Sequence, residues 1–243
     1  MGYTLKMSEW LIITLLTFLA GVAIPIGAGL AAFENIRRHW LKNEVRHGVM
    51  AFGGGALLAA VALVLVPEGS KDLPVWATAL SFILGGLVFM TLDIILAKNQ
   101  TSASQLVAML ADFIPEALAL GATFVIDKKV APLLAGIMAL QNLPEGFNAF
   151  REIKASTDYN AKKIIGVFVL IAFLGPIAGL SGYWLLSDFQ TIVAAIMLFA
   201  AGGITYIIFQ DIAPQAKLEA HWSPPIFALL GFLLGLIGQQ LAA

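Results

Sequence analysis

Asp112-Phe113-Ile114-Pro115-Glu116 and Gln141-Asn142-Leu143-Pro144-Glu145-Gly146 spell nearly the same thing twice, each within an apolar stretch long enough to cross a bilayer. In both, an oxygen-bearing side chain stands four residues before a glutamate, so the two share one helix face. In both, a proline directly precedes that glutamate. Proline has no amide hydrogen, so Pro115 and Pro144 predict kinks and leave the carbonyls one turn earlier, at Ala111 and Leu140, without their donors. A carboxylate at bilayer depth costs about 2.5–3.5 kcal/mol on insertion scales and marks a functional site by default. Asp112, Glu116 and Glu145, with a carboxamide and two freed carbonyls, read as a site for a cation.

The rest of the chain fits that setting. Of its 243 residues 60% are hydrophobic and 12% charged, and mean hydropathy is +0.90. A soluble domain is closer to half apolar and a quarter charged, so the chain is expected to be one integral membrane domain, 1–243, with the lipid bilayer as its main partner. With no cysteine, disulfides, zinc–thiolate sites and thiol catalysis are excluded. A net charge of -1 and no basic run argue against nucleic acid. Eight segments qualify as spans, at roughly 10–32, 47–67, 74–97, 104–126, 131–150, 164–186, 190–210 and 223–242. The first is read as a span rather than a cleaved signal peptide, because it is long and lacks a clear cleavage site. The longest connection is polar, from Arg151 to Lys163.

Lys and Arg set the orientation. With the N-terminus outside, the cytoplasmic side holds Arg37, Arg38, Lys42, Arg46, Lys98, Arg151, Lys154, Lys162, Lys163 and Lys217, against Lys6, Lys71, Lys128 and Lys129 outside. Both termini are therefore expected to be extracytoplasmic in a multi-pass protein of the cell membrane. This places the glycosylation sequon Asn99-Gln100-Thr101 inside, where it is a chance match.

The segments also repeat. A single offset aligns Phe52-Gly53-Gly54-Gly55-Ala56 and Pro67-Glu68 of segment 2 with Phe199-Ala200-Ala201-Gly202-Gly203 and Pro214-Gln215 of segment 7. Another aligns Met109, Asp112, Pro115 and Glu116 of segment 4 with Met138, Gln141, Pro144 and Glu145 of segment 5. Partners in each pair run in opposite directions. The expected architecture is all-α, with eight transmembrane helices in an inverted repeat. Segments 1–3 match segments 6–8, and segments 4 and 5 lie at the pseudo-axis, where transporter sites sit.

Other acids lie nearer the span ends: Asp93 and Asp211 at the inner ends of segments 3 and 7, and Glu68 at the outer end of segment 2. Glu68, Asp93 and Asp211 are read as candidate pathway residues or ordinary interfacial acids, and Asn142 as an additional ligand. The oxygen set favours harder ions such as Mn²⁺, Fe²⁺ or Mg²⁺, although Zn²⁺ also accepts carboxylates. The bland alternative is a carboxyl–carboxamide hydrogen-bond cluster joining two helices. His39, His47 and His221 fall in connections and are read as solvated. Trp10, Trp40, Trp76, Trp184 and Trp222 fall near span ends, as an aromatic belt would place them.

At these motifs the sequence resembles the ZIP (Zrt/Irt-like) family of metal transporters, in its bacterial form. Segment 5, Gln141-Asn142-Leu143-Pro144-Glu145-Gly146, is close to the bacterial Gln-Asp-x-Pro-Glu-Gly. Segment 4, where that family carries His-Asn-x-Pro-Glu-Gly, reads Asp112-Phe113-Ile114-Pro115-Glu116-Ala117 and continues Leu118-Ala119-Leu120-Gly121-Ala122. Ala201-Gly202-Gly203-Ile204-Thr205-Tyr206 with Gln210-Asp211-Ile212-Ala213-Pro214 is similar to the family's segment 7. The resemblance covers all eight spans and is specific at segments 4, 5 and 7. It implies a divalent metal cation (zinc, iron or manganese) as substrate rather than cofactor, with Asp112, Glu116, Gln141 and Glu145 as ligands, and it allows a homodimer.

The departures imply one ion rather than two. Phe113 replaces an asparagine ligand, Asn142 an aspartate, and Gly175 the glutamate that precedes a segment 6 proline in metal-bridged relatives. The family's His-rich loop between segments 3 and 4 is also absent.

Two other readings compete. Gly179-Leu180-Ser181-Gly182 fits the Gly-x-Ser-Gly of rhomboid-like intramembrane serine proteases, but a serine nucleophile needs a base in reach, and no span offers a mid-membrane His. Neither His-Glu-x-x-His nor Gly-x-Gly-Asp occurs, so no enzyme is expected. The missing segment 4 His allows a transport-inactive, ZIP-like metal-binding protein. The expectation carried forward is transport of a divalent metal toward the cytoplasm.

Overall fold

The computed structural model describes residues 8–33, 39–99, 104–126, 128–186, 188–216 and 223–242. Among these the fold is all-helical, with no strand. Helix α1 spans Glu9–Phe33. Helix α2 starts at His39–Ala60, passes through a π-helical turn at Val61–Leu65 and ends in Val66–Lys71. Then come α3 (Val75–Asn99), α4 (Ser104–Ile126) and α5 (Val130–Ser156). Helix α6 comprises Ala161–Ala172, Leu174–Ser181 and a π turn at Gly182–Leu186. Helix α7 comprises Gln190–Ile207, a π turn at Ile208–Ile212 and Ala213–Ala216. Helix α8 is Ser223–Ala242. Six of these, α1, α2, α3, α6, α7 and α8, contain stretches long and apolar enough to cross a membrane. The chain thus has the make-up of a multi-pass membrane protein. The other two long helices, α4 and α5, carry the polar motifs.

The π turns in α2 and α7 have a common cause. Pro67 and Pro214 cannot donate to the carbonyls four residues earlier, Leu63 and Gln210, and both carbonyls lie within π turns. A π turn shifts the ladder to i→i+5; here Val66 N–H reaches Val61 O and Ala213 N–H reaches Ile208 O. The two turns correspond residue for residue under the offset that aligns Gly55 with Gly202.

The helices pack as two groups. Helix α5 lies along α1, and α4 lies against α5 and α6. In the other group α2 pairs with α8 and α3 with α7. Glycine lets backbones touch where hydrocarbon gives helices no hydrophobic reason to associate. A Cβ on Gly55 would stand 1.9 Å from the Ala228 carbonyl oxygen, and one on Gly231 2.0 Å from that of Phe52. At the α3–α7 crossing, Gly202 meets the Phe82 oxygen at 1.9 Å and Gly85 meets that of Phe199 at 1.9 Å. The α1–α5 crossing follows the same plan, with Gly27 against Leu143 and Gly146 against Ile24. The outer faces of α3 and α8 stay apolar and exposed, through Leu80, Ile83 and Leu87 on one and Ile226, Leu229 and Leu230 on the other, as lipid contact requires.

Two connections are shorter than the sequence reading expects, because α2 already begins at His39, which puts His39 and His47 in a helix, and α5 outruns its expected end. Arg151–Lys163 is not a loop throughout: α5 runs on to Ser156, and α6 begins at Ala161 with the Asn160 side chain capping the Lys163 amide. The reason is local, since a polar Asn just before an amphipathic stretch is a strong start signal. Trp10, Trp76 and Trp184 are exposed near helix ends, as expected for interfacial rings. Lys6, Arg37, Arg38, Gln100, Thr101, Lys217, His221 and Trp222 lie outside the described residues.

Candidate metal centre

Helices α4 and α5 bring the predicted ligands together. Asp112, Glu116, Gln141 and Asn142 are all buried, with the two amides fully so. Gln141 spans the helix pair: its Nε2 donates to Asp112 Oδ2 at 3.4 Å and also to Glu116 Oε2. These bonds belong to the bland reading, a carboxamide joining two carboxyl groups. They leave four buried oxygens without partners: Asp112 Oδ1, Gln141 Oε1, Asn142 Oδ1 and Glu145 Oε2. A buried polar atom without a partner costs about 1–3 kcal/mol, and several together call for an explanation such as an ion. Among the described residues no three Asp, Glu, His or Cys side chains already converge as metal ligands.

Asp112, Gln141 and Glu145 line a cavity of about 340 Å³ that extends along α5 to Asn148, Arg151 and Glu152 and is bordered by Ile207, Asp211 and Ile212 of α7. On the far side of Glu116 a second void, of about 10 Å³, is walled by Ala60, Leu65, Ala119, Leu134, Ile137 and Met138. The site therefore borders a roomy, mostly apolar cavity that carries a few polar side chains, and Glu116 borders a small apolar void.

The remaining candidates separate. Asp211 lines the large cavity. Asp93 does not; it accepts a hydrogen bond from the Tyr206 hydroxyl at 2.9 Å. Glu68 is held by Lys71 at 2.5 Å near the end of α2 and borders neither space. Asn142 turns from the cavity and donates to the Ala20 carbonyl of α1 at 2.9 Å. Ser181 donates to the Ile177 carbonyl at 2.7 Å, a backbone partner rather than a base.

Three cavity residues escape the motif reading: Asn148, Arg151 and Glu152. A signal for two of them was present, because Gln141, Glu145, Asn148 and Glu152 follow the spacing of one helical face. Phe113, which cannot coordinate a metal, packs against α1 and α6. It is fully buried, and Cβ atoms on Gly21 of α1 and Gly175 of α6 would come within 3.0 and 2.8 Å of its Cζ.

No protein-family model matches the chain, and no curated protein matches it.

Proposed function

We propose that the chain transports a divalent metal cation of the zinc, iron or manganese class across the cell membrane toward the cytoplasm. In this reading all eight long helices span the bilayer, both termini lie outside, and the ion sits between α4 and α5. The observation that carries it is the set of buried, unpartnered oxygens on Asp112, Gln141 and Glu145, beside Glu116, at the head of the 340 Å³ cavity. Such oxygens suit a hard or borderline divalent ion, and the space beside them exceeds what a bare ion needs. Under the Lys/Arg orientation the cavity ends on the cytoplasmic side.

The two spaces flanking the site support alternating access through an inverted repeat. Under the offset that aligns Gly55 with Gly202, Ala60 and Leu65 correspond to Ile207 and Ile212. Under the one that aligns Glu116 with Glu145, Ala119 and Met138 correspond to Asn148 and Met109. Residues walling the small void are thus counterparts of residues lining the large cavity. Rocking one helix group against the other would close one space and open its counterpart. The matched glycine crossings of α2 with α8 and α7 with α3 support the same repeat.

The test is uptake of Zn²⁺ or Mn²⁺ by vesicles containing the purified protein, wild type against Glu116→Ala and Glu145→Ala. Loss of uptake in both variants, with the protein still folded in the membrane, is expected. Uptake near the wild-type rate in either would remove the site from α4 and α5. Metal binding by wild type without uptake would leave a transport-inactive binding protein.

A further inference from the structure

We propose that the Gln141 carboxamide is a two-position placeholder: its NH₂ bridges Asp112 and Glu116 when no cation is present, and the amide turns over to offer Oε1 when one enters. The inference rests on reading this site as a cation carrier and assigns Gln141 a role beyond that of ligand. In the structure Nε2 faces both carboxyl groups, while Oε1 is buried with no partner. A carboxamide nitrogen is a donor and offers a metal no lone pair; the oxygen is the acceptor. The orientation seen here therefore cannot ligate, and the opposite one can.

The turn is about the terminal amide torsion, which is soft and roughly two-fold. In this orientation two polarised N–H hydrogens stand where a cation's charge would otherwise be, one toward each carboxyl group. They also join α5 to α4 without an ion. Asp112 Oδ1 and Glu145 Oε2, both unpartnered, remain for an arriving cation to engage first. A carrier that has released its ion thereby keeps its two site helices bound together, so it can return empty.

The variant that separates the two positions is Gln141→Glu, which keeps a ligand oxygen and replaces the bridging NH₂ by at most one O–H that reaches only one of the two acids. Zn²⁺–Zn²⁺ exchange needs only the loaded carrier to move, whereas net Zn²⁺ uptake needs the empty carrier to return. Because Gln141 is itself a ligand, exchange changes with it, so the readout is the ratio of net uptake to exchange, expected to fall about ten-fold or more, the scale of one lost hydrogen bond to a charged group. Equal loss of both activities, or loss of neither, overturns the proposal.

A second measurement reads the amide directly. In protein labelled with ¹⁵N-glutamine, the side-chain NH₂ signal assigned by its absence in Gln141→Glu should resist hydrogen exchange without metal. It should shift and lose that protection when Zn²⁺ is added. An unchanged signal while Zn²⁺ binds overturns the placeholder and leaves the carrier reading intact. A wild-type protein that neither binds nor moves Zn²⁺ or Mn²⁺ overturns both.

Discussion

Phe113 and Gly175 share one space: a side chain begun at the glycine would meet the ring's Cζ at 2.8 Å. Gly21 completes the recess from α1, and the Asn142 NH₂ is held by the Ala20 carbonyl. Position 113 thus supplies an aromatic ring that packs against α1 and α6 rather than a ligand. One divalent ion per chain is expected from elemental analysis of the metal-loaded protein or from anomalous scattering. Two adjacent ions between α4 and α5 would refute this. Truncating the ring tests its packing role: Phe113→Ala should lower stability by about 3–5 kcal/mol, as for other buried phenylalanines, in a thermal unfolding assay in detergent.

Asp112→His offers the cation a nitrogen in place of an oxygen. Imidazole suits zinc, and carboxylate suits manganese or magnesium. Competition between Zn²⁺ and Mn²⁺ should therefore move toward Zn²⁺ in the variant. An unchanged preference would mean that position 112 does not touch the ion.

Acid should weaken metal binding. Carboxylate ligands hold a metal only when deprotonated, so protons compete with it and binding releases them. Affinity is accordingly highest on the alkaline side and falls as pH drops through the range where the site's carboxyl groups take up protons. Calorimetry in buffers of different ionisation enthalpy counts the protons released. Binding that is unaffected by pH across the carboxylate range would remove Asp112, Glu116 and Glu145 from the ligand set together.

The glycine crossings predict a matched pair of lesions. Gly55→Ala and Gly202→Ala each push a methyl to within 1.9 Å of a neighbouring carbonyl oxygen. Helices must then part, at a cost of about 1–3 kcal/mol or more, and the two variants should lose similar stability. Gly29→Ala, where nothing lies within 4 Å of the added carbon, should be neutral or stabilising by up to ~1 kcal/mol through helix propensity. A thermal shift series in detergent compares the three, and a harmless Gly55→Ala would contradict the close crossing.

Apolar runs made the helices legible, and segment 4 was placed at the residues of α4. Asp112, Glu116 and Glu145 stand out in the sequence too, because ionisable groups inside such runs have few reasons to be there. The π turns were not read, although their cause was visible in Pro67 and Pro214: a missing donor says the ladder must change but not how. The extension of α5 to Ser156 was missed because Arg151, Glu152 and Lys154 are polar, and polarity marks the edge of a bilayer rather than the end of a helix. The bridging role of Gln141 was beyond the sequence, since it depends on which end of an amide faces two acids on another helix. The filling of Phe113's recess is half visible in the sequence, since Gly175 has no side chain, yet only packing shows that the ring uses that room.

The crossing of α2 with α8 and that of α7 with α3 are one interface written twice. Phe52 and Gly55 occupy in the first the places that Phe199 and Gly202 occupy in the second, each glycine under a carbonyl of its partner helix. A polypeptide of half this length, inserted into a membrane in both orientations, would bring the same glycine beneath the same carbonyl from either side. It would form this helix pair as an antiparallel dimer of two identical chains. The two copies differ in this chain where Asn148 and Asp211 line the large cavity, because Ala119 and Val64 stand at the equivalent places.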